Sequence, residues 1–266
     1  MTYDSHIHTS LCKHATGGPA DYLRAARRAQ LAGLVFTDHA PTPDGFDSAS
    51  RMAMAELRSY CLEIDQLRAQ NPGFYVGIGL EVDYRPGHEA ELEKQFAEYH
   101  FDYLIGSVHH LGDWPFDHPD HQAEFSQREL TQVYWSYFAL IVQAAESLLF
   151  DSIGHFDLPK KFGYLPEGGY ADLAEPALRA MASYGTFLDF NTAGWRKPCA
   201  EPYPSFEILV RAHELGIEVV LGSDAHDPSE VGHRFGEAIA MLRRAGYQEA
   251  WVFRERQPAP YPLPKL

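Results

Sequence analysis

Short apolar runs typical of buried strands alternate with longer helix-like runs from one end of the chain to the other. This order predicts parallel strands in the interior and helices packed outside them. About seven strand–helix units favour a closed α/β barrel over an open sheet. The predicted strands are residues 2–6, 34–37, 74–80, 103–108, 152–154, 186–190 and 217–221, and the predicted helices are residues 19–31, 53–69, 88–98, 127–149, 173–184, 206–215 and 230–245.

Histidine and carboxylate side chains stand where these strands end. Residues two apart in a strand point to the same side, so His6 and His8 can grip one metal ion together. Asp4 shares their face deeper in the strand, and we expect it to orient a ligand histidine. The other candidate ligands at strand ends are Asp38, His39, Glu81, His109, His155, Asp224 and His226.

These side chains are expected to meet at one face, because the chemistry of an α/β barrel sits at the carboxyl ends of its strands. They predict a hydrolase site that holds two or three metal ions. His109 and His110 are adjacent, so at most one of them should face the barrel mouth, and we favour His109.

The ligand types narrow the choice of metal. Ligation rich in histidine and poor in carboxylate suits zinc, iron or manganese better than magnesium or calcium. Metal coordination lowers the pKa of water from 15.7 to about 7, which gives a nucleophile at neutral pH. Several neighbouring ions would also neutralise a phosphoryl oxygen and hold a hydroxide between them.

Charge and composition restrict the partners and the compartment. The chain has 266 residues and a formal net charge of −15, which argues against nucleic acid and anionic membranes as partners. Its three cysteines are odd in number and lack CxxC spacing, which favours a reducing cytoplasm. The N-terminus shows no signal-peptide run, and residues 134–150 are too short and too polar to span a bilayer. We expect one domain over residues 1–266, with a proline-rich tail, residues 256–266, lying extended on the surface.

The motifs together resemble the polymerase-and-histidinol-phosphatase (PHP) superfamily from Thr2 to about Met241. Within it, the Leu-Cys-x-His and Gly-His-Phe-Asp-Leu segments are most similar to the histidinol-phosphate phosphatase family. The segments that carry the resemblance are residues 4–14, Thr37-Asp38-His39, Gly79-Leu80-Glu81, Gly106-Ser107-Val108-His109-His110, Gly154-His155-Phe156-Asp157 and Gly222-Ser223-Asp224-Ala225-His226.

The resemblance implies a distorted (β/α)7, TIM-like barrel of PHP type with a site for three divalent transition-metal ions, zinc, iron or manganese. Glu81 would bridge the first ion to the second. The implied ligands are His6, His8, Glu81 and Asp224 for the first ion, His109 and His155 with Glu81 for the second, and His14, His39 and His226 for the third.

Residues next to the ligands are candidates for catalysis and substrate binding. His226 and Asp38 are the predicted catalytic residues: Asp38 would hydrogen-bond a metal-bound water or pass a proton to the leaving group, or else merely cap the strand end and orient His39. Arg196, close to Asn191 in the loop after a strand, is the first candidate to hold phosphate, because a guanidinium can bind two phosphate oxygens at once. Lys160, with Lys161, is the second candidate, unless these lysines form a solvated basic loop.

The family resemblance implies a phosphomonoesterase that releases L-histidinol and inorganic phosphate from L-histidinol phosphate through a metal-bridging hydroxide. A phosphatase for another small phosphomonoester and a PHP-type phosphodiesterase or exonuclease are the alternatives. A nuclease should carry a basic track, and no stripe rich in Lys or Arg is visible. The full ligand set weighs against a third reading, a non-catalytic metal-dependent interaction module.

Several roles stay open at this stage. The group that recognises the substrate amine is not identified, and Asp44 or Asp47 would serve without further support from the sequence. The insert 113–122 has no assigned role beyond a guess that it forms a lid. A homo-oligomer is left open as well.

Overall fold

Seven parallel strands form a barrel in the computed structural model, which describes residues 1–265. Neighbours in the chain are neighbours in the sheet, as the alternation of strands and helices predicts. The TIM-like barrel is therefore confirmed. The strands are β1 (Tyr3–Ile7), β2 (Gly33–Phe36), β3 (Tyr75–Asp83), β4 (Tyr103–Ser107), β5 (Ser152–Ile153), β6 (Phe187–Asn191) and β7 (Val219–Gly222).

The barrel closes between its first and seventh strands. Ile7 forms a parallel bridge with Ala225, and the backbone N–H of His8 donates to the Ala225 carbonyl at 3.0 Å. The barrel is irregular next to this closure, because the register between β1 and β2 shifts between Asp4 and Ile7. Strand β5 is only two residues long, which is a second distortion of the barrel.

Seven helices cover the outside of the barrel and bury one apolar face each. In the first of them Pro19 starts the helix, where its missing N–H costs nothing, and Tyr22, Leu23 and Ala26 face the core. The helices are α1 (Pro19–Arg28), α2 (Leu57–Gln70), α3 (Glu89–Ala97), α4 (Leu130–Glu146), α5 (Ala171–Tyr184), α6 (Phe206–Glu214) and α7 (Phe235–Ala245).

Several boundaries differ from the expected ones, and two of the differences have clear physical reasons. Strand β3 continues to Asp83 instead of ending before Glu81, because it pairs with β4 over its second half. Helix α7 begins at Phe235 instead of residue 230, because a separate 3-10 turn, Pro228–Glu230, precedes it and Arg234 is in the left-handed region with φ 53°.

The expectation that residues 256–266 lie extended on the surface holds for residues 257–262, which are extended and mostly exposed, but the segment is paired into the sheet and does not lie free. Gln257–Pro262 forms strand β9, which pairs antiparallel with strand β8, Glu249–Arg254, a strand that sequence reasoning did not predict. Tyr261 and Leu263 are buried. Leu266 lies outside the described residues.

The β8–β9 hairpin covers the amino-terminal end of the barrel. The Phe253 ring stacks on Tyr103 at 5.2 Å and meets Phe187 edge-on at 5.0 Å, while its carbonyl accepts from the Tyr75 hydroxyl. Tyr261 meets the Tyr3 ring at 5.0 Å. Since these partners are the first residues of their strands, the hairpin closes the end opposite the predicted site.

Within residues 1–265, the helices are all too short or too polar to cross a membrane.

We predict that Phe253→Ala destabilises the fold by about 3–5 kcal/mol, because it removes a buried ring and leaves a cavity at the closed end. Urea denaturation followed by circular dichroism measures the change. Tyr184→Ala, which truncates an exposed ring at the end of α5, is the matched control and should change stability by less than about 0.5 kcal/mol. Equal stability of the two variants would contradict the assignment of the hairpin as a structural closure.

Candidate metal centre

Glu81 lies at the centre of the carboxyl-terminal end of the barrel and is almost completely buried. Its Oε2 atom is 3.1 Å from His39 Nδ1, 3.3 Å from His8 Nε2 and 3.4 Å from His6 Nε2. Strands β1, β2 and β3 end side by side, so three histidines from two strands converge on one carboxylate oxygen.

The second oxygen of Glu81 faces the next two strands. His155 Nε2 lies 2.8 Å from Oε1 and His109 Nε2 lies 3.4 Å from it. The Ser107 hydroxyl donates to the same oxygen at 2.7 Å and fixes its direction. The carboxylate therefore divides its two oxygens between two groups of histidines.

Asp224, two residues after the end of β7, closes the ring on the other side. Its Oδ1 atom is 3.4 Å from His8 Nε2, 3.4 Å from His226 Nδ1 and 3.8 Å from His6 Nε2. The His226 ring stacks on His8 at 4.2 Å and on His14 at 4.7 Å, which brings the loop residue His14 to the rim of the cluster.

The described residues contain several groups with the spacing of a metal site. In each group the potential ligand atoms lie within 4.8 Å of one another. Three groups reproduce the implied division into three ions, and two more overlap them. The groups are His6–His8–Glu81, Glu81–His109–His155, His14–His39–His226, His8–Cys12–His226 and His39–Asp83–His109.

Buried histidine nitrogen atoms without hydrogen-bond partners indicate whether these residues fit metal ions. Among the described residues, the buried atoms His6 Nε2, His8 Nε2 and His226 Nε2 have no hydrogen-bond partner. A buried polar atom without a partner costs about 1–3 kcal/mol. Divalent cations at His6–His8–Glu81 and at His14–His39–His226 would satisfy these atoms, so the residues of these two groups fit such ions.

The charges of the cluster favour cation binding. Burial alone would raise the pKa of Glu81, but His39, His6 and His109 outweigh it and hold the pKa well below its usual range. Burial lowers the pKa of His8 and of His39, and it lowers the pKa of His226 to about 3. These imidazoles are neutral at pH 7 and offer lone pairs to a metal.

Asp189 is the carboxylate that orients His6, and sequence reasoning missed it. His6 Nδ1 donates to Asp189 Oδ2 at 2.8 Å, as is usual for histidines that bind a metal through the other nitrogen. The expectation that Asp4 has this role is wrong. Asp4 accepts from the backbone N–H and hydroxyl of Ser223 and from the Gly232 N–H, so it braces the strand end before Asp224.

A second network that sequence reasoning missed orients His109. Its Nδ1 donates to Asp83 Oδ1 at 2.8 Å, and Asp83 Oδ2 accepts from Arg51 at 2.6 Å. Arg51 is buried and also donates to the Ala40 carbonyl. Asp83 stands two residues after Glu81 on the same strand face, a parity signal that could have identified it.

Two of the candidate ligands have a strained backbone. His155 has φ 27° and Asp224 has φ 51°, both in the left-handed region that residues other than glycine rarely adopt. Such strain costs about 1–3 kcal/mol and occurs mainly at functional sites. Gly222 permits the close approach, because a Cβ there would lie 2.5 Å from the His6 Cβ and 2.7 Å from Asp189 Oδ1.

The cluster forms the floor of a pocket of about 740 Å³. His109 and His110 both line the pocket, so the expectation that at most one of the pair faces the mouth is wrong. Strand β4 ends at Ser107, and the alternation of side chains that the expectation assumed does not continue beyond it. The walls further include Asp47, Ser50, Arg51, Pro115, Asp117, His118, His121, Lys161, Lys197 and Tyr203.

Lys160 does not face this pocket, which contradicts its prediction as a substrate-binding residue. Its ammonium group is buried and contacts Asp157 Oδ2 and Glu201 Oε1, each at 2.9 Å, and the Pro202 carbonyl at 2.7 Å. The helical turn Leu158–Phe162 points it inward and leaves Lys161 on the pocket wall.

Arg196 and Asn191 lie beside the cluster and position Asp224. The Asn191 amide donates to Asp224 Oδ2 at 3.2 Å and to Asp189 Oδ2 at 3.1 Å. Arg196 donates to the carbonyls of Ser223 and Asp224, and its Nη1 is buried without a partner among residues 1–265.

Asp38 is completely buried and does not line the pocket within the described part of the chain. Its Oδ1 accepts from the backbone N–H of Thr9 at 2.8 Å and from the Thr9 hydroxyl at 3.2 Å. Burial raises the pKa of this carboxyl to about 7. The prediction that Asp38 acts directly in catalysis is therefore corrected: it fixes the loop that follows His8.

Comparisons with known proteins give consistent matches. Residues 4–193 match the PHP domain family. A probable histidinol-phosphatase of Deinococcus radiodurans is 49% identical over 259 residues, covering 97% of this chain and 98% of that protein. The histidinol-phosphatase of Bacillus subtilis is 32% identical over 258 residues, covering 87% of this chain and 96% of that protein.

One solved structure agrees closely in fold. The crystal structure of histidinol phosphate phosphatase from Lactococcus lactis, complexed with zinc, L-histidinol and phosphate, superimposes with a TM-score of 0.84 at 21% identity. The match covers 97% of this chain and 98% of that chain. It confirms the barrel fold, and the family match over residues 4–193 shows that the barrel is of the PHP type.

We predict that Asp189→Asn weakens metal binding by about 10- to 100-fold, because the neutral amide no longer supports the His6 imidazole. Competition against a chelator, read by elemental analysis of the protein fraction, measures the affinity. Asp65→Asn makes the same change on an exposed part of α2 and should leave affinity unchanged. Equal affinity of both variants would contradict the role given to Asp189.

Proposed function

The chain belongs to the PHP domain family and, within it, to the histidinol-phosphatase family, and we propose on that premise that it hydrolyses L-histidinol phosphate to L-histidinol and phosphate. The observation that carries the proposal is the surroundings of Glu81. Its two oxygens face five histidines at the floor of an open pocket. This arrangement supports a metal-dependent phosphomonoesterase of histidine biosynthesis.

We propose three divalent ions, zinc, iron or manganese, held by the groups His6–His8–Glu81, Glu81–His109–His155 and His14–His39–His226, of which the first two share Glu81. When bound, such ions polarise a phosphoryl oxygen and lower the pKa of water to about 7, which supplies the nucleophile. The proposed ligands are His6, His8, Glu81 and Asp224 for the first ion, Glu81, His109 and His155 for the second, and His14, His39 and His226 for the third.

The chain's own residues supply orientation and charge. Asp189 and Asp83 each hold one ring nitrogen of a ligand histidine, so the other nitrogen of His6 and of His109 points at the cluster. His226 stands at the rim, between His8 and His14, and we retain it as a residue of the reacting centre.

The cationic side chains that would receive the phosphate are Lys161 and Lys197. Arg196, the first candidate from the sequence, is not among the pocket-lining residues of the described chain and instead holds the carbonyls of Ser223 and Asp224 and the Glu230 carboxylate. Lys161 and Lys197 line the pocket. Burial lowers the pKa of Lys197, and Lys161 nearby acts in the same direction. Because an anion beside these ammonium groups would be attracted to both, they suit a phosphate dianion. Asn191 contributes by positioning Asp224 and not by direct contact.

Further parts of the proposal concern partners, compartment and domain. The net charge of −15 supports a small phosphomonoester instead of nucleic acid or a membrane surface as the partner. The three free cysteines, Cys12, Cys61 and Cys199, support a cytoplasmic location. One sheet from β1 to β9 supports a single metallophosphatase domain over residues 1–266.

We predict that His8→Ala lowers kcat/KM for L-histidinol phosphate by at least about 10³-fold, since His8 contacts both carboxylates of the first group. Phosphate release from protein reconstituted with zinc, manganese or iron measures the effect. His100→Ala, at an exposed position after α3, should retain full activity. Wild-type protein that carries its metals yet hydrolyses another monoester or a diester in preference would contradict the proposed substrate.

Removal of metal should abolish activity and lower the melting temperature. Metal ions that bind the folded state and not the unfolded chain stabilise the fold, and their removal takes this stabilisation away. A chelator titration followed by calorimetry and elemental analysis tests this. Return of about three ions per chain should restore both properties. Unchanged activity after complete removal of transition metals would contradict the proposed mechanism.

A further inference from the structure

Cys12 is a buried thiol inside the metal centre that the proposed function does not use. Its sulfur and one nitrogen atom each of His8 and His226 lie within 4.8 Å of one another, and its side chain is completely buried. The other two cysteines, Cys61 and Cys199, are only partly buried and belong to no such group within the described residues. Cys12 is therefore placed to bind a metal ion, and the other two thiols are not.

The loop around Cys12 is shaped to hold a thiolate. Cys12 ends the 3-10 turn Ser10–Cys12, and Lys13 follows in the left-handed region with φ 68°. Burial raises the pKa of the thiol to about 12, whereas the backbone N–H groups of His14 and Ala15, which approach the sulfur, act in the opposite direction. Such N–H groups favour the charged form of an acid. They would support the thiolate that forms when a metal ion replaces the thiol proton.

His8 has a nitrogen atom to spare for an ion beside Cys12. Both of its ring nitrogen atoms are buried and have no hydrogen-bond partner among residues 1–265. His8 Nε2 faces Glu81 and Asp224 at 3.3 and 3.4 Å. The first ion of the proposed function would therefore satisfy Nε2 and leave Nδ1 without a partner.

His226 has a single nitrogen atom available for a metal. Its Nδ1 donates to the Asp224 carbonyl at 3.1 Å, whereas its Nε2 is buried without a hydrogen-bond partner in the described part of the chain. The groups His8–Cys12–His226 and His14–His39–His226 both need a nitrogen of His226. An ion at Cys12 and the third ion of the proposed function must therefore compete for His226 Nε2.

We propose that Cys12, His8 and His226 form an inhibitory site for a thiophilic ion of the class of Cu⁺ or Cd²⁺. A thiolate with two imidazoles is a softer ligand set than the groups without sulfur, and soft ligands select soft ions. A metal–sulfur bond forms, the thiol proton passes to solvent, and the ion takes His226 from the third group. His226 lines the pocket, so an ion can reach it from solvent. Ion binding at Cys12 stands without the proposed function, whereas the loss of activity rests on it.

Titration of the manganese-loaded protein with Cd²⁺, without a thiol reductant, tests the site. The wild type should develop the ultraviolet absorption of a thiolate–cadmium bond and lose hydrolysis of L-histidinol phosphate in parallel. Elemental analysis should show manganese leaving as cadmium binds, because both ions need His226. Cys12→Ser should lack the absorption and need at least about tenfold more cadmium for half inhibition, since even a residue that only orients a ligand contributes about 10- to 100-fold to metal affinity.

Cys61→Ser is the matched control, because it makes the same change at a partly buried thiol of α2. It should equal the wild type in absorption and in inhibition. Absorption that persists in Cys12→Ser would overturn the site. Half inhibition of Cys12→Ser and of the wild type at the same cadmium concentration would overturn its inhibitory role.

A measurement on the wild-type protein guards against variants that fold poorly. X-ray absorption at the cadmium edge should show a sulfur ligand together with nitrogen ligands. A ligand shell of nitrogen and oxygen alone would overturn the assignment of Cys12.

The outcomes separate this site from the proposed function. If the wild-type protein carries its metals, cleaves p-nitrophenyl phosphate and is idle on L-histidinol phosphate, the proposed function fails. The absorption and the X-ray measurement still decide the site at Cys12 in that case, and p-nitrophenyl phosphate then reports the inhibition.

Discussion

The structure depends on a carboxylate, Glu81, that is buried among histidines at the end of a closed barrel. Burial of an ion costs several kcal/mol unless opposite charge or a metal compensates for it. His6 and His109 compensate in part, because the carboxylates around them outweigh burial and raise their pKa values, whereas burial lowers the pKa of His8 and of His39. Bound divalent ions would supply the missing positive charge. The same ions would then serve the chemistry of the site and stabilise this end of the barrel.

The sequence predicted the barrel and most of the candidate ligands because both depend on local patterns, whereas His14, in a loop, was implied only by the family resemblance. Strand parity and position at a strand end are visible for His6, His8 and Glu81 without any knowledge of distant contacts. Asp189 and Arg51 were missed for the opposite reason. Asp189 lies inside an apolar strand and Arg51 in a loop, and each acquires its role from a partner far away in the chain. The predictions that Asp4 orients a ligand histidine and that Lys160 binds substrate failed for the same reason, because the actual partners of both side chains are distant in the chain or unmarked by a local pattern.

The hairpin at the closed end could have been predicted from its prolines. Pro258, Pro260 and Pro262 occupy alternate positions of β9, which lies at the edge of the sheet. In a strand, alternate N–H groups point to the same side, so all three missing donors fall on one edge. A proline at every second position is thus compatible with an edge strand, although the same composition also fits an extended surface tail.

The net charge of −15 gives a misleading picture of what an anionic substrate meets. Glu81, Asp83, Asp189 and Asp224 are among the acids counted, yet all four are engaged with histidine or arginine side chains at the site. With divalent ions bound, the floor of the pocket would be positive at short range, where its charge outweighs distant surface acids that salt screens within about 8–10 Å. The formal charge therefore disfavours extended polyanions, which must contact the surface, far more than a small phosphomonoester that contacts only the pocket.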